Sequence, residues 1–226
     1  MGPFELMDMI GHDINYAVTC SVWNAFYNDP RFLPSLVQKE LLDAGFLGKK
    51  SGRGFFDYQE GTAKPGPQTE GQRTVPTRIT LGGDSEAARA LAERLACANI
   101  PFEHIPSVDG RIAEVNGAVL FVTDGRSATQ RAANTGLANV VLVDLALDYR
   151  TTTRLALTSA AQCTEDAVSA AIALLQAAGV QVSRLADVPG LAVMRTVAML
   201  ANEAADAVYQ GVCSASAADA AIRLGV

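Results

Sequence analysis

The sequence predicts an α/β fold joined to all-α segments: a helical head, a parallel, doubly wound sheet in the middle, and terminal helices. Three observations predict it. Apolar residues recur at helical spacing through residue 58. A stretch rich in proline, glycine and polar residues, 59–77, then interrupts that pattern. From Arg78 onward short apolar runs alternate with amphipathic ones, the order that builds βαβ units.

In the head, FELMDMIGHDINYAVTCSVWNAFY places Leu6, Ile10, Ile14, Val18, Val22 and Phe26 on one helical face, and Gly11 divides it into two helices. NDPRF turns the chain into a further helix over 34–42, and Gly45 stands where a left-handed residue ends a helix. QEGTAKPGPQTEGQRTVPT has linker composition and sets a domain boundary. RITL is then a strand, Gly82-Gly83-Asp84 its turn, and SEAARALAERLACANI a helix. PFEHI and GAVLFVTDG read as strands and ATQRAANTG as a helix; NVVLVDL is an unbroken apolar strand of the kind buried on both faces. RLALT, the helix TEDAVSAAIALLQAAG and VQVSRL complete the alternation, with right-handed crossovers expected. The tail reads as a long helix closed by Gly211 and a short one capped by Ser216, with Asp219 three residues on. The divisions that result are 1–58, 59–77, 78–188 and 189–226.

Composition narrows the function. A chain of 226 residues that is 49% hydrophobic and 19% charged is ordinary for a globular protein. A net charge of −6 argues against general nucleic-acid binding, which needs a basic face. No apolar run is long enough to span a bilayer, so no membrane partner is expected. Cys20, Cys97, Cys163 and Cys213 are scattered, without CxxC spacing or a neighbouring histidine, which argues against zinc and points to a reducing cytoplasm.

Five places offer themselves as sites, each with a structural alternative. LGGDSEAA stands where a dinucleotide fold carries G-x-G-x-x-G, and Glu103 lies at a ribose-holding distance downstream. It has only Gly82 and Gly83, and Asp84 puts negative charge where phosphate would sit, so a plain strand–turn–helix also accounts for it. GFLGKKSGRGFFDY offers Lys49, Lys50 and Arg53 to an anion. A helix precedes it and its spacing departs from a Walker loop, so a glycine-rich turn anchored by Phe55, Phe56 and Tyr58 also accounts for it. His12, beside Asp13, and His104, beside Glu103, are the only imidazoles; each also reads as a surface or capping residue. Asn202-Glu203 reads as a buried polar pair or as the edge of an apolar stripe. No catalytic, cofactor-binding or metal-ligating residue is assigned.

MGPFELMDMIGHD, then RFLPSLVQKELLDAGFLGKKSGRGFFDY and EGTAKP, resemble in order the C-terminal helical domain of 3-hydroxyacyl-CoA dehydrogenases, of the bacterial 3-hydroxybutyryl- and 3-hydroxyadipyl-CoA type. The tail DVPGLAVMRTVAMLANEAADAVYQGVCSASAADAAIRLGV resembles the start of a second copy of that domain, and the middle resembles the reduced Rossmann-like domain between the copies. GKKSGRGFFDY then resembles the family's exit from the helical domain rather than a phosphate loop.

The resemblance implies an NAD-dependent enzyme that oxidises 3-hydroxyacyl-CoA to 3-oxoacyl-CoA, acting as a homodimer on an acyl-CoA substrate. It implies that NAD is held, and catalysis done, by an N-terminal domain outside this sequence, so that the chain is a fragment inactive by itself. The family's histidine follows a strand like NVVLVDL, but here the chain runs on as DLALDYRTT, with no histidine; no acid stands near RLALTSA for its glutamate partner. Met194, beside Arg195, occupies the place of the family's asparagine, whose amide hydrogen bonds it cannot make. Pro3, Phe4 and Leu6 resemble the cleft-facing segment and are the expected substrate-binding residues; a core role for Phe4 and Leu6 is the alternative. The apolar stripe Leu191, Met194, Val197, Ala198 and Ala201 is expected to pack on residues 1–58, within the chain or across a dimer. Two other readings stay open: a binding or oligomerisation module without a dehydrogenase partner, and a degenerate sheet that still binds a nucleotide.

Overall fold

The computed structural model describes residues 2–106 and 109–225. The chain divides into two compact units, Met1–Pro67 and Gln68–Val226.

The first unit is helical. Helix α1 (Pro3–Ile10) starts on a proline, whose fixed φ and missing N–H suit the first helical position. Gly11, at φ 102°, ends it and starts α2 (His12–Ala25). A 3-10 turn, Pro30–Phe32, leads to α3 (Leu36–Asp43), and Gly45 follows it at φ 74°, the left-handed residue expected there. The apolar face read from the sequence forms, but it is uncovered: Leu6, Ile10, Ile14, Val18 and Phe26 are all exposed. Among the described residues of this unit the buried side chains are Asp8, His12 and Gln38, none of them apolar.

The second unit is a seven-stranded sheet in the order β2-β1-β3-β4-β5-β6-β7. Its strands are β1 (Ile79–Gly82), β2 (Glu103–Ile105), β3 (Arg111–Val115), β4 (Ala118–Val122), β5 (Val140–Val143), β6 (Arg154–Ser159) and β7 (Gln181–Arg184). Helices α4 (Glu86–Cys97), α5 (Ala128–Thr135) and α6 (Glu165–Ala177) cross between β1 and β2, β4 and β5, and β6 and β7, and each of those strand pairs is parallel. The α/β class therefore stands, but the sheet is mixed: β1–β3, β3–β4 and β5–β6 are antiparallel. The first two arise from β3, which the sequence reading did not assign. It folds back through Asn116-Gly117, both at positive φ, as a two-residue hairpin requires.

Helices α4 and α6 pack on one face of the sheet through Leu91, Leu95, Ile172 and Leu174. Helix α5 covers part of the other, where Phe121, Leu142 and Leu191 lie buried with Ala128 and Ala132. Part of the expected linker belongs to this unit. The Glu70 N–H donates to the Val182 carbonyl at 2.8 Å, and the Gln176 amide takes the Arg73 N–H and donates to the Glu70 and Gly71 carbonyls. Helices α7 (Val193–Tyr209) and α8 (Ala215–Gly225) close the chain. Ser214, not Ser216, caps α8, since its Oγ accepts from the Ala217 N–H.

Candidate functional site

The segment carrying Pro3, Phe4 and Leu6 is the first turn of α1. Phe4 is 52% and Leu6 44% exposed, so neither is a core residue of this unit. Phe4 leans on Phe55 at 4.6 Å between ring centroids, and Phe55 in turn meets the His12 ring edge-on at 4.9 Å. Glu5 pairs with Lys64 at 2.8 Å, and Lys64 also sits over the Phe56 ring.

Beneath these rings lies Asp8, fully buried. Its carboxylate accepts from the Phe55 N–H at 2.8 Å, the Phe56 N–H at 2.9 Å and the Tyr58 hydroxyl at 3.0 Å, and contacts His12 Nε2 at 2.8 Å. Burial pushes the Asp8 carboxyl up, but the Phe56 and Phe55 N–H groups, with His12 and Tyr58, outweigh it and hold its pKa below the usual carboxylate range. The same contact, after burial itself, drives the Tyr58 phenol up to about 12. A carbon on Gly54 would overlap Asp8 Oδ1, and one on Gly48 would overlap the Asp8 carbonyl oxygen. These two glycines of GKKSGRGFFDY are there so that backbone can close around a carboxylate. Its bases are engaged nearby: Lys50 with Asp13, Lys49 over Tyr58 and Arg53 over Phe46.

His12 is therefore neither a surface nor a capping residue. Its orienting acid is Asp8, one helical turn back, rather than the adjacent Asp13. His104 lies exposed, its Nε2 3.1 Å from the Gly83 carbonyl. Asn202 and Glu203 are both exposed, so they are not a buried pair in this chain.

In the α/β unit the positions suited to phosphate are helix N-termini, and the chain's own oxygens fill them. Ser85 Oγ accepts from the Ala88 N–H on α4, with Glu86 in its first turn. On α5, Ser127 caps Gln130, and the Asp187 carboxylate takes the Ala128 and Thr129 N–H groups at 2.6 and 2.9 Å. Thr164 caps α6, with Glu165 and Asp166 following. On α7, Asp144 takes the Ala192, Val193 and Met194 N–H groups at 2.9, 2.8 and 3.2 Å. Asp144 directly follows β5 and is itself buried. Met194 lies half-buried with its sulfur 3.9 Å from Thr123 Oγ1. A pyrophosphate at these termini would meet oxygens of five residues, Ser85, Ser127, Asp187, Thr164 and Asp144, that already accept N–H groups there. Sequence reasoning missed Asp8, Asp144 and Asp187.

No group of His, Cys, Asp and Glu suited to a metal is present among the described residues, and none of their helices is long and apolar enough to cross a membrane.

Comparison with known proteins gives two family matches: the 3-hydroxyacyl-CoA dehydrogenase C-terminal domain over residues 1–58, and the 3-hydroxybutyryl-CoA dehydrogenase reduced Rossmann-fold domain over residues 120–189. The 3-hydroxyadipyl-CoA dehydrogenase of Escherichia coli K12 is 39% identical over the whole chain, which spans 41% of that protein. A probable 3-hydroxybutyryl-CoA dehydrogenase of Bacillus subtilis is 41% identical over 28% of the chain and 22% of its own length. A crystal structure of 3-hydroxybutyryl-CoA dehydrogenase from Escherichia coli K12 matches all of the chain and 42% of its own, with TM-score 0.71 and 38% identity.

Proposed function

The chain belongs to the 3-hydroxyacyl-CoA dehydrogenase family, and from that premise we propose that it is the substrate-cleft and oligomerisation region of an NAD-dependent enzyme oxidising 3-hydroxyacyl-CoA to 3-oxoacyl-CoA. Pro3, Phe4 and Leu6 form part of the acyl-CoA cleft wall, held in place by Phe55 and the Asp8 cradle. NAD binding and proton abstraction belong to residues outside these 226, and the chain alone is inactive. The observation that supports this reading is the occupation of the α5 and α7 N-termini by the Asp187 and Asp144 carboxylates, with Ser85 and Thr164 each capping one N–H of α4 and α6. The sheet is then a scaffold rather than a second catalytic domain. The dispersed cysteines support a cytoplasmic setting.

The homodimer rests on a different observation. A helical unit with no buried apolar side chain among its described residues has no core of its own, and a unit of this size is not stable without one. A second copy of the chain, which also carries the uncovered apolar faces of α1, α2 and α7, is the proposed cover. The same observation favours a second reading, a binding or oligomerisation module with no dehydrogenase activity in its parent.

The test takes the chain through three measurements. With acetoacetyl-CoA and NADH it is expected to show no turnover; steady NADH consumption contradicts the inactive assignment. Acetoacetyl-CoA is expected to shift the amide resonances of residues 4–6. Sedimentation equilibrium is expected to give a dimer. A dimer whose 4–6 resonances stay fixed favours the second reading, and a monomer contradicts both.

A further inference from the structure

Helix α7 contains no buried residue from Val193 to Tyr209, and α8 packs back on it. The two form an arm whose attachment to the sheet is concentrated at its root. There Asp144 receives four N–H groups, from Leu145 just past β5 and from Ala192, Val193 and Met194 at the start of α7. Just before the helix, Gly190 and Leu191 both sit at positive φ, 74° and 48°, the second an uncommon conformation for leucine. The Leu191 side chain is buried among Phe121, Leu142 and Ala128. A buried side chain on one side of the turn and a carboxylate on the other hold this backbone in a conformation that it does not favour by itself.

We propose that Asp144 and the Gly190–Leu191 turn form an anchored pivot, in which this one carboxylate sets the direction the α7–α8 arm takes from the sheet. The two side-chain oxygens lie at the positive end of the α7 dipole and satisfy three of its four orphan donors. Without them, the root keeps the Leu191 side chain, the Met194–Thr123 contact, the Arg195 N–H bond to the Gly190 carbonyl and, three residues before the turn, the Asp187 link to α5, none of which holds the first N–H groups of α7 to the sheet. This goes beyond the proposed function, since it holds whether or not the parent is a dehydrogenase.

Native cysteines allow a direct test. Cys97 is exposed on α4 of the sheet unit, and Cys213 lies between α7 and α8. In the full chain carrying Cys20→Ser and Cys163→Ala, diluted with an excess of unlabelled cysteine-free chain so that distances within one copy dominate, spin labels on these two report the arm's direction as a distance distribution. The parent is expected to give one narrow peak. Asp144→Ala is expected to broaden that peak and shift it, with the circular dichroism of the sheet unchanged. Asp144→Asn, whose amide oxygen can accept only part of the donor set, is expected to fall between them. A distribution in Asp144→Ala that matches the parent overturns the proposal, as does a broad distribution in the parent. Should Asp144→Ala fail to fold, Asp144→Asn decides: a broadened peak supports the pivot and an unchanged one overturns it.

Discussion

Asp8 and His12, one helical turn apart across the Gly11 break, face each other at 2.8 Å with neither side chain reaching solvent. The contact organises the helical unit, because Asp8 is also where the Phe55–Tyr58 segment returns to α1.

Replacing Asp8 by Asn keeps the shape but turns an NH2 toward groups that are themselves donors. Leaving a buried, charge-assisted set of hydrogen bonds half made costs about 2–4 kcal/mol. Trp23, the single tryptophan, lies in α2 and reports on this unit. Its fluorescence in urea should show a lower unfolding midpoint for Asp8→Asn; a midpoint equal to the parent's contradicts the cradle.

Acid should act through the same carboxylate. The Asp8 pKa is lowered in the fold, so its contribution is complete above the unfolded carboxyl value near ~3.9 and is lost as pH falls through the lower folded value. The Trp23 signal of the parent should therefore show an acid transition that Asp8→Asn lacks.

At the alkaline end the sign reverses. The Tyr58 phenol is held up to about 12 by burial and by Asp8. Its contribution is present below the unfolded value near ~10 and is lost as pH rises toward the folded one. Subtracting the tyrosinate absorbance titration of Tyr58→Phe from the parent's should leave one group ionising near 12. A group ionising with the ordinary tyrosines would show that the hydroxyl is not bound to Asp8.

Two glycine substitutions separate space from backbone freedom. Gly54→Ala drives a carbon into Asp8 Oδ1, whereas Gly52, at φ 76°, has nothing within reach of an added carbon. Gly52→Ala should cost about 1–2 kcal/mol for the left-handed backbone alone. Gly54→Ala should cost more and lose the late Tyr58 titration as well. Equal losses in urea denaturation would contradict the close approach.

Asp187→Ala should release the α5 amides selectively. Hydrogen exchange at Ala128 and Thr129 should accelerate, while Ala192 to Met194, held by Asp144, keep their rates. Ser127 still caps Gln130, so the loss of stability should be about 1–2 kcal/mol.

Local signals carried much of this in the sequence. Helical periodicity, the Gly11 and Gly45 breaks, and six of the seven strands are legible because each depends on residues close in the chain. Strand β3 was legible too: Asn116-Gly117 between RIAEV and AVLFV is a hairpin signal of known chemistry, and it went unread. The role of Asp8 was half legible, since its i,i+4 spacing to His12 is visible while its partners at 55, 56 and 58 are not. Asp144 and Asp187 give no local sign, because each reaches donors roughly fifty residues or more away. A carboxylate that caps a distant helix looks in sequence like any aspartate after a strand.

Calorimetric titration of the whole chain with NADH, followed alongside by the amide resonances of Ala128, Thr129 and Ala192 to Met194, tests the scaffold assignment most directly. Flat heats and unmoved resonances are predicted, because Asp187 and Asp144 already hold those donors. Saturable heat with shifts at those five amides would contradict it.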